Sequence, residues 1–192
     1  MNSYQINFPI KSKEKISRRF LARGITSFDE AAHYIQQLPY GRNANKNDLT
    51  TIFSDNCGTC STKHALLKSL ATENNFNDLQ LMLGLFKMNG KNTPRIVATL
   101  QKYGLDYIPE AHNYLRYKNE ILDFTFINSK PSDFEDDLIE EIEIAPNQIA
   151  DFKVAYHKEH LSHWLTQNNQ IKYSLNELWA IREECIKDMY TK

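Results

Sequence analysis

Residues 112 to 126, HNYLRYKNEILDFTF, constrain the fold more than any other stretch of this chain. Strand-forming side chains lie on both sides of Lys118-Asn119, a pattern typical of two antiparallel strands joined by a two-residue turn. With that turn, Tyr117 lies opposite Glu120, and the pairing of all the other residues follows. The sequence therefore predicts a β-hairpin in a single register.

This register brings two polar side chains to one face of the predicted hairpin. His112 lies opposite Thr125, and Asp123 is a diagonal neighbour of His112 within side-chain reach. The other face is apolar and can pack into a core; it carries Leu115, Tyr117, Leu122 and Phe124. We therefore expect the face with His112 and Asp123 to line a cleft.

The remaining pattern predicts helices around a small antiparallel sheet. The predicted elements are helices over about 28–38, 60–73, 94–103, 147–168 and 175–190, a strand over 79–88, and the hairpin. Residues 133–143 carry seven carboxylates and are expected to form an acidic loop. The layout is α+β. We expect a core domain over 1–145 and a helical C-terminal extension over 146–192 packed on the same domain.

Composition narrows the functional classes. The 192 residues carry 24 acidic and 23 basic side chains, a net charge of −1, so nothing indicates a nucleic-acid partner. The longest apolar run, LMLGLF, is far too short to span a membrane, and the first residues lack a signal-peptide pattern. Three cysteines in a chain of this length are typical of reduced thiols. The sequence predicts a cytoplasmic protein without a membrane partner.

The segment DNCGTCSTKHALLKSLA, residues 55–71, carries two cysteines three residues apart at the start of a predicted helix. Structural zinc requires four ligands, and no second Cys-x-x-Cys pair is present. The histidines of HKEHLSHW are His157, His160 and His163, and they are expected to lie on a solvated or half-buried helix face. We therefore expect neither a metal nor an organic cofactor.

A dithiol oxidoreductase that uses Cys57 and Cys60 is one alternative, because CGTC resembles the thioredoxin active-site motif. That fold needs a buried strand directly before the motif, and the preceding segment NDLTTIFSDN is mostly polar. Ile108-Pro109, followed by Glu110, is also a poor start for a central buried strand. These features favour a different use of the cysteines.

A single nucleophilic thiol is the interpretation that the hairpin favours. A helix N-terminus and an imidazolium both favour the thiolate, and Cys60 stands where the helical pattern begins. His112 can then act as base and acid, with Asp123 fixing the tautomer of the imidazole. His64, one helical turn after Cys60, is an alternative base. Cys60 as a buried structural residue is the non-catalytic alternative.

Three segments in this order resemble the transglutaminase-like superfamily of papain-type thiol enzymes: GTCSTKHALLKSLA, LQLMLGLF and HNYLRYKNEILDFT. The resemblance implies a papain-like core with Cys60 as nucleophile, His112 as base and acid, and Asp123 as the orienting group. It also implies hydrolysis or transfer of an amide-linked acyl group through a thioester. The substrate would be a peptide or another amide-containing small molecule. Ser54 stands where papain-type relatives carry a glutamine of the oxyanion hole.

Overall fold

The computed structural model describes residues 6–189, and the chain divides into two compact units. The first contains residues up to Leu83 with Asn113–Pro131 and Ile142–Ala150; the second contains Gly84–His112, Ser132–Glu141 and residues from Asp151 onward. Within the described residues the fold is α+β, with seven α-helices and a four-stranded antiparallel sheet. The predicted fold class is confirmed at this level, and the predicted boundary at 145/146 stays a prediction.

Four helices belong to the first unit: α1 (Lys15–Leu21), α2 (Phe28–Gln37), α3 (Thr51–Asp55) and α4 (Cys60–Glu73). The starts of α2 and α4 follow the prediction because each has a side-chain cap, from Ser27 and Thr59. Helix α1 was not predicted; it lies in a basic stretch but buries Ile16 and Phe20. Residues 60–67 of α4 are all buried, so its first two turns have no solvent-exposed face.

The sheet contains β1 (Leu79–Asn89), β2 (Tyr107–Tyr117), β3 (Glu120–Leu122) and β4 (Leu138–Glu143), in the order β3-β2-β1-β4. The hairpin pairs are Leu115 with Leu122, Arg116 with Ile121 and Tyr117 with Glu120. Lys118 has a φ of 55°, the left-handed conformation that a tight hairpin turn requires. The predicted hairpin register is confirmed.

Two expectations about the sheet are wrong. Residues 138–143 of the predicted acidic loop form β4, an edge strand whose exposed carboxylates are typical of such edges. The stretch Ile108-Pro109-Glu110 lies inside β2 and is buried. A glutamate is tolerated there because Arg182, in the same unit, pairs with its carboxylate.

The face of β2 that carries His112 was predicted to line a cleft, and this prediction is wrong at Tyr114. Asn113, Tyr114 and Leu115 are consecutive in the strand and all are buried. Because successive side chains point to opposite faces, the strand is covered on both sides there. Tyr114 is among the largest fully buried side chains of the protein.

The remaining helices belong to the second unit: α5 (Val97–Lys102), α6 (Asp151–Gln167) and α7 (Leu175–Asp188). Helix α6 starts later than predicted because Pro146–Gln148 form a separate 3₁₀ turn. Trp164 of α6 donates to the Tyr107 hydroxyl over 2.8 Å. Cys185 of α7 is buried, as predicted, and burial raises the pKa of its thiol to about 12.

Candidate active site

Helix α4 begins with a polar first turn that is buried in the first unit. The Thr59 side chain accepts a hydrogen bond from the Thr62 backbone N–H, and the Thr62 hydroxyl oxygen accepts one from Thr59 N–H. Cys60 is the first residue of the helix, and only 7% of its surface is exposed. A Cβ at Gly58 would lie 3.0 Å from Lys63 Cγ, so this position has little room for a side chain. The helix macrodipole at this end favours a thiolate.

His64 has a backbone partner at each ring nitrogen. Its Nδ1 lies 2.8 Å from the Cys60 carbonyl oxygen, and the Phe124 N–H donates to its Nε2 over 2.8 Å. A carbonyl only accepts and a backbone N–H only donates, so Nδ1 carries the proton and the ring is neutral. Its side chain is 0% exposed. This geometry gives His64 a structural role and disfavours it as the base for Cys60.

Asp123 follows strand β3, and its side chain is 5% exposed. Its Oδ1 accepts from the Thr125 N–H over 2.8 Å and from the Thr125 hydroxyl over 2.5 Å. The same oxygen lies 3.5 Å from Nε2 of His64. The carboxylate is therefore held in one orientation by the turn that follows the hairpin.

Lys63 is a buried cation in the first turn of α4. The side chain is fully buried, and its Nζ donates to the carbonyls of Leu38 over 2.5 Å and Thr125 over 2.7 Å. Burial lowers the pKa of Lys63 to about 8, while Asp123, Cys60 and Cys57 act in the opposite direction. The sequence pattern does not single out this residue, because a lysine in a helix usually indicates a solvent-facing position.

His112 belongs to the second unit and lies in strand β2, where it is half-buried. Its ring contacts Phe134 and Phe86 edge-on, with centroid distances of 4.9 and 6.3 Å. Asp123 and Cys60 belong to the first unit. Asp123 lies beside the helix that starts at Cys60: its Oδ1 is 3.5 Å from Nε2 of His64, and Lys63 of the same helix donates to the carbonyl of Thr125, two residues after Asp123.

A buried hydrogen bond joins helix α4 to strand β2 within the first unit. The Ser61 hydroxyl donates to Oδ1 of Asn113 over 2.8 Å, and Nδ2 of Asn113 donates to the Met82 carbonyl over 2.8 Å. Ser61 directly follows Cys60, and Asn113 directly follows His112. Neither residue was predicted from the sequence, and the signal available was their position beside the predicted catalytic residues.

Cys57 differs from Cys60 in environment. It precedes the helix cap, is partly exposed, and its carbonyl accepts from Asn43 Nδ2 over 2.9 Å. Burial, and then the Asp55 carboxylate, raise the pKa of its thiol, which disfavours attack on a disulfide. The segment before it is α3, and every strand in residues 6–189 follows the motif. The strand that the dithiol interpretation requires is therefore a helix.

The three histidines of α6 have different surroundings. The expectation of a solvated or half-buried face is wrong for His157, which is buried because its Nε2 donates to the Pro109 carbonyl over 2.8 Å. His160 lies 3.2 Å from Glu140, and His163 is exposed. Among the residues that the structure describes, no group of three or more His, Cys, Asp or Glu side chains is arranged to hold a metal ion. None of the helices in 6–189 has both the length and the apolar character to cross a membrane.

No protein-family model, curated protein or solved structure matches this chain.

Proposed function

We propose that the protein is a transglutaminase-like thiol enzyme with a papain-like core. It hydrolyses or transfers an amide-linked acyl group of a peptide or an amide-containing small molecule. Cys60 is the nucleophile, His112 is the general base and acid, and Asp123 orients the imidazole.

One observation carries this proposal. The Ser61 hydroxyl and the Asn113 amide share a buried hydrogen bond of 2.8 Å, and these two residues directly follow Cys60 and His112. A direct bond between the chain neighbours of the nucleophile and the base supports their action in one site.

Two features of helix α4 support the role of Cys60. The thiol stands at the positive end of a 14-residue helix, and the buried ammonium of Lys63 lies one turn further along. Both charges favour the thiolate form. The carboxylate of Asp123 is already fixed by Thr125, which suits a group that orients an imidazole.

The reaction follows from these roles. His112 takes the proton of the Cys60 thiol, and the thiolate attacks the amide carbonyl carbon to form a tetrahedral adduct. The C–N bond breaks, the amine leaves with the proton from His112, and a Cys60 thioester remains. Water or a second amine then loses a proton to His112 and attacks the thioester carbonyl. The C–S bond breaks, and the sulfur regains its negative charge or its proton.

The test is the pH dependence of iodoacetamide labelling at each cysteine, measured by mass spectrometry. We expect Cys60 to label at a pH well below the ordinary thiol value of about 8.5, and Cys57 to label only at higher pH. His112→Ala should move the Cys60 midpoint upward. His163→Ala, which replaces an exposed histidine, is the matched control and should leave it unchanged.

Acyl transfer is tested separately with p-nitrophenyl acetate. We expect one acetyl group on Cys60 that hydroxylamine removes, and none in Cys60→Ser. An unchanged Cys60 midpoint in His112→Ala would overturn the proposed triad. A faster reaction at Cys57 would favour a dithiol oxidoreductase, and two unreactive cysteines would favour a binding module without catalysis.

A further inference from the structure

Two features of the position of Lys63 disfavour a positively charged side chain. It lies in the first turn of α4, near the positive end of the helix macrodipole, and its side chain is fully buried. Its two hydrogen bonds go to neutral backbone carbonyls, those of Leu38 and Thr125. A charge in such surroundings is costly, so a compensating role in a nearby site is expected.

Lys63 interacts electrostatically with two residues of the candidate site, Cys60 and Asp123. The bond to the Thr125 carbonyl connects α4 with the residue whose N–H and hydroxyl hold the Asp123 carboxylate. The charged or titratable groups that act on the ammonium are Asp123, Cys60 and Cys57, and each favours its protonated form. His64, which lies beside Asp123, is neutral in this arrangement.

We propose that Lys63 is a positioning residue of the candidate active site. Its ammonium fixes the Asp123 turn on helix α4 and favours the thiolate of Cys60. This inference rests on the proposed function, since it assigns Lys63 a part in activating the same nucleophile. The neutral amine retains two N–H donors for the two carbonyls, so deprotonation removes the charge without removing both bonds.

The experiment compares three variants of α4 by the pH midpoint of Cys60 alkylation. Lys63→Met removes the charge and keeps an unbranched stem, whereas Lys63→Arg keeps the charge. Lys68→Met is the matched control on the same helix. We expect an upward shift of about one pH unit in Lys63→Met, as removal of a nearby opposite charge produces. Lys63→Arg and Lys68→Met should stay close to the parent protein.

If Lys63 had only a structural role, the result would be different. Both Lys63 variants would then lose stability while the Cys60 midpoint stayed at the parent value, and this outcome would overturn the inference. The His112→Ala variant distinguishes a failure of the proposed triad from a failure of the proposed role of Lys63. An unchanged midpoint in His112→Ala rejects the triad, whereas an unchanged midpoint in Lys63→Met alone rejects only the role of Lys63.

A measurement on the otherwise intact protein applies if Lys63→Met does not fold. In a Cys57→Ser background, methyl methanethiosulfonate converts Cys60 to a small neutral adduct. Because coupling between two charges is reciprocal, loss of the thiolate should lower the pH at which the ¹⁵N signal of Lys63 Nζ titrates. Lys63→Arg assigns that signal. An unchanged titration would show that the ammonium and the thiol are not coupled, and the inference would fail.

Discussion

Ser61 of helix α4 and Asn113 of strand β2 share a buried hydrogen bond of 2.8 Å, and the Asn113 amide also donates to the Met82 carbonyl of β1. One fully buried side chain thus joins a helix to two strands. Loss of such an amide leaves buried polar groups without partners.

Asn113→Ala should lower the free energy of unfolding by about 2–3 kcal/mol, because two buried partners lose their bonds. Ser61→Ala should cost about 1 kcal/mol, since only one of those bonds is lost. Urea unfolding of both variants and the double variant gives the coupling energy. Asn128→Ala replaces an exposed asparagine and is the control. A cost for Asn113→Ala no larger than that of the control would contradict the role of this bond.

The lowered pKa of Lys63 predicts that the free energy of unfolding rises with pH in the alkaline range. Its folded-state pKa of about 8 lies below the ordinary value of 10.5, so between these values the unfolded chain holds a proton that the folded chain has lost. The free energy of unfolding therefore increases from pH 8 to 10.5, with a slope of at most about 1.4 kcal/mol per pH unit.

The measurement is the difference in urea stability between the parent chain and Lys63→Met across this window. Both chains carry Cys57→Ser and Cys60→Ser, so that thiol titration near Lys63 does not contribute. Because the two serines remove groups that raise the pKa of Lys63, the difference should begin to grow in favour of the parent at or below pH 8 and should continue to grow towards pH 10.5. A difference that stays flat or falls would mean that the lysine titrates at or above its ordinary pKa, and would contradict the prediction.

Elements with a local signal were predictable from the sequence. The hairpin register follows from a two-residue turn and alternation, and Leu115 indeed pairs with Leu122. The start of α4 follows from the cap at Thr59. Strand β4 has no such signal, because LIEEIE does not alternate, and it exists because β1 offers an edge for pairing. That edge is a property of the assembled sheet.

In the candidate site, too, residues with a local sequence signal were predictable, and residues that depend on long-range contacts were not. The motif around Cys60 and the hairpin were enough to single out Cys60, His112 and Asp123 as candidates, and their catalytic roles stay a prediction. The two bonds of Lys63 reach across 25 and 62 residues of chain, and the bond from Ser61 to Asn113 spans 52. Contacts at such separations depend on tertiary packing, and a lysine or serine in a helix carries no local pattern that reveals them.

Because His64 has a structural role, we expect its substitution to lower the stability of the protein without changing the reactivity of Cys60. His64→Gln retains an acceptor near the position of Nε2, and His64→Asn retains a donor near that of Nδ1. Each variant keeps one of the two backbone bonds and should lose about 1–3 kcal/mol of stability. The pH midpoint of Cys60 alkylation should stay near the parent value in both. A large upward shift in His64→Asn would make His64 the base in place of His112.

Glu110 and Arg182 form a buried ion pair in the second unit, with the guanidinium bound to both carboxylate oxygens. Burial acts to raise the pKa of Glu110, but the charge and hydrogen bonds of Arg182, together with the charges of His157 and Lys153, hold the pKa below the ordinary 4.5. The folded chain therefore binds fewer protons than the unfolded chain in acid. Stability from this pair is present above pH 4.5 and is lost as the pH falls through the folded-state pKa.

Arg182→Met should cost about 3–5 kcal/mol at pH 7, because it leaves a buried carboxylate without its partner. Without the guanidinium, burial raises the pKa of Glu110, so the penalty should shrink as the pH falls and the carboxyl is protonated. Both tryptophans, Trp164 and Trp179, lie in this unit, so tryptophan fluorescence during urea unfolding at several pH values reports the change. Glu183→Gln, which removes the more exposed partner of Arg182, is the control. An equal penalty at every pH would show that Glu110 is already protonated in the folded protein.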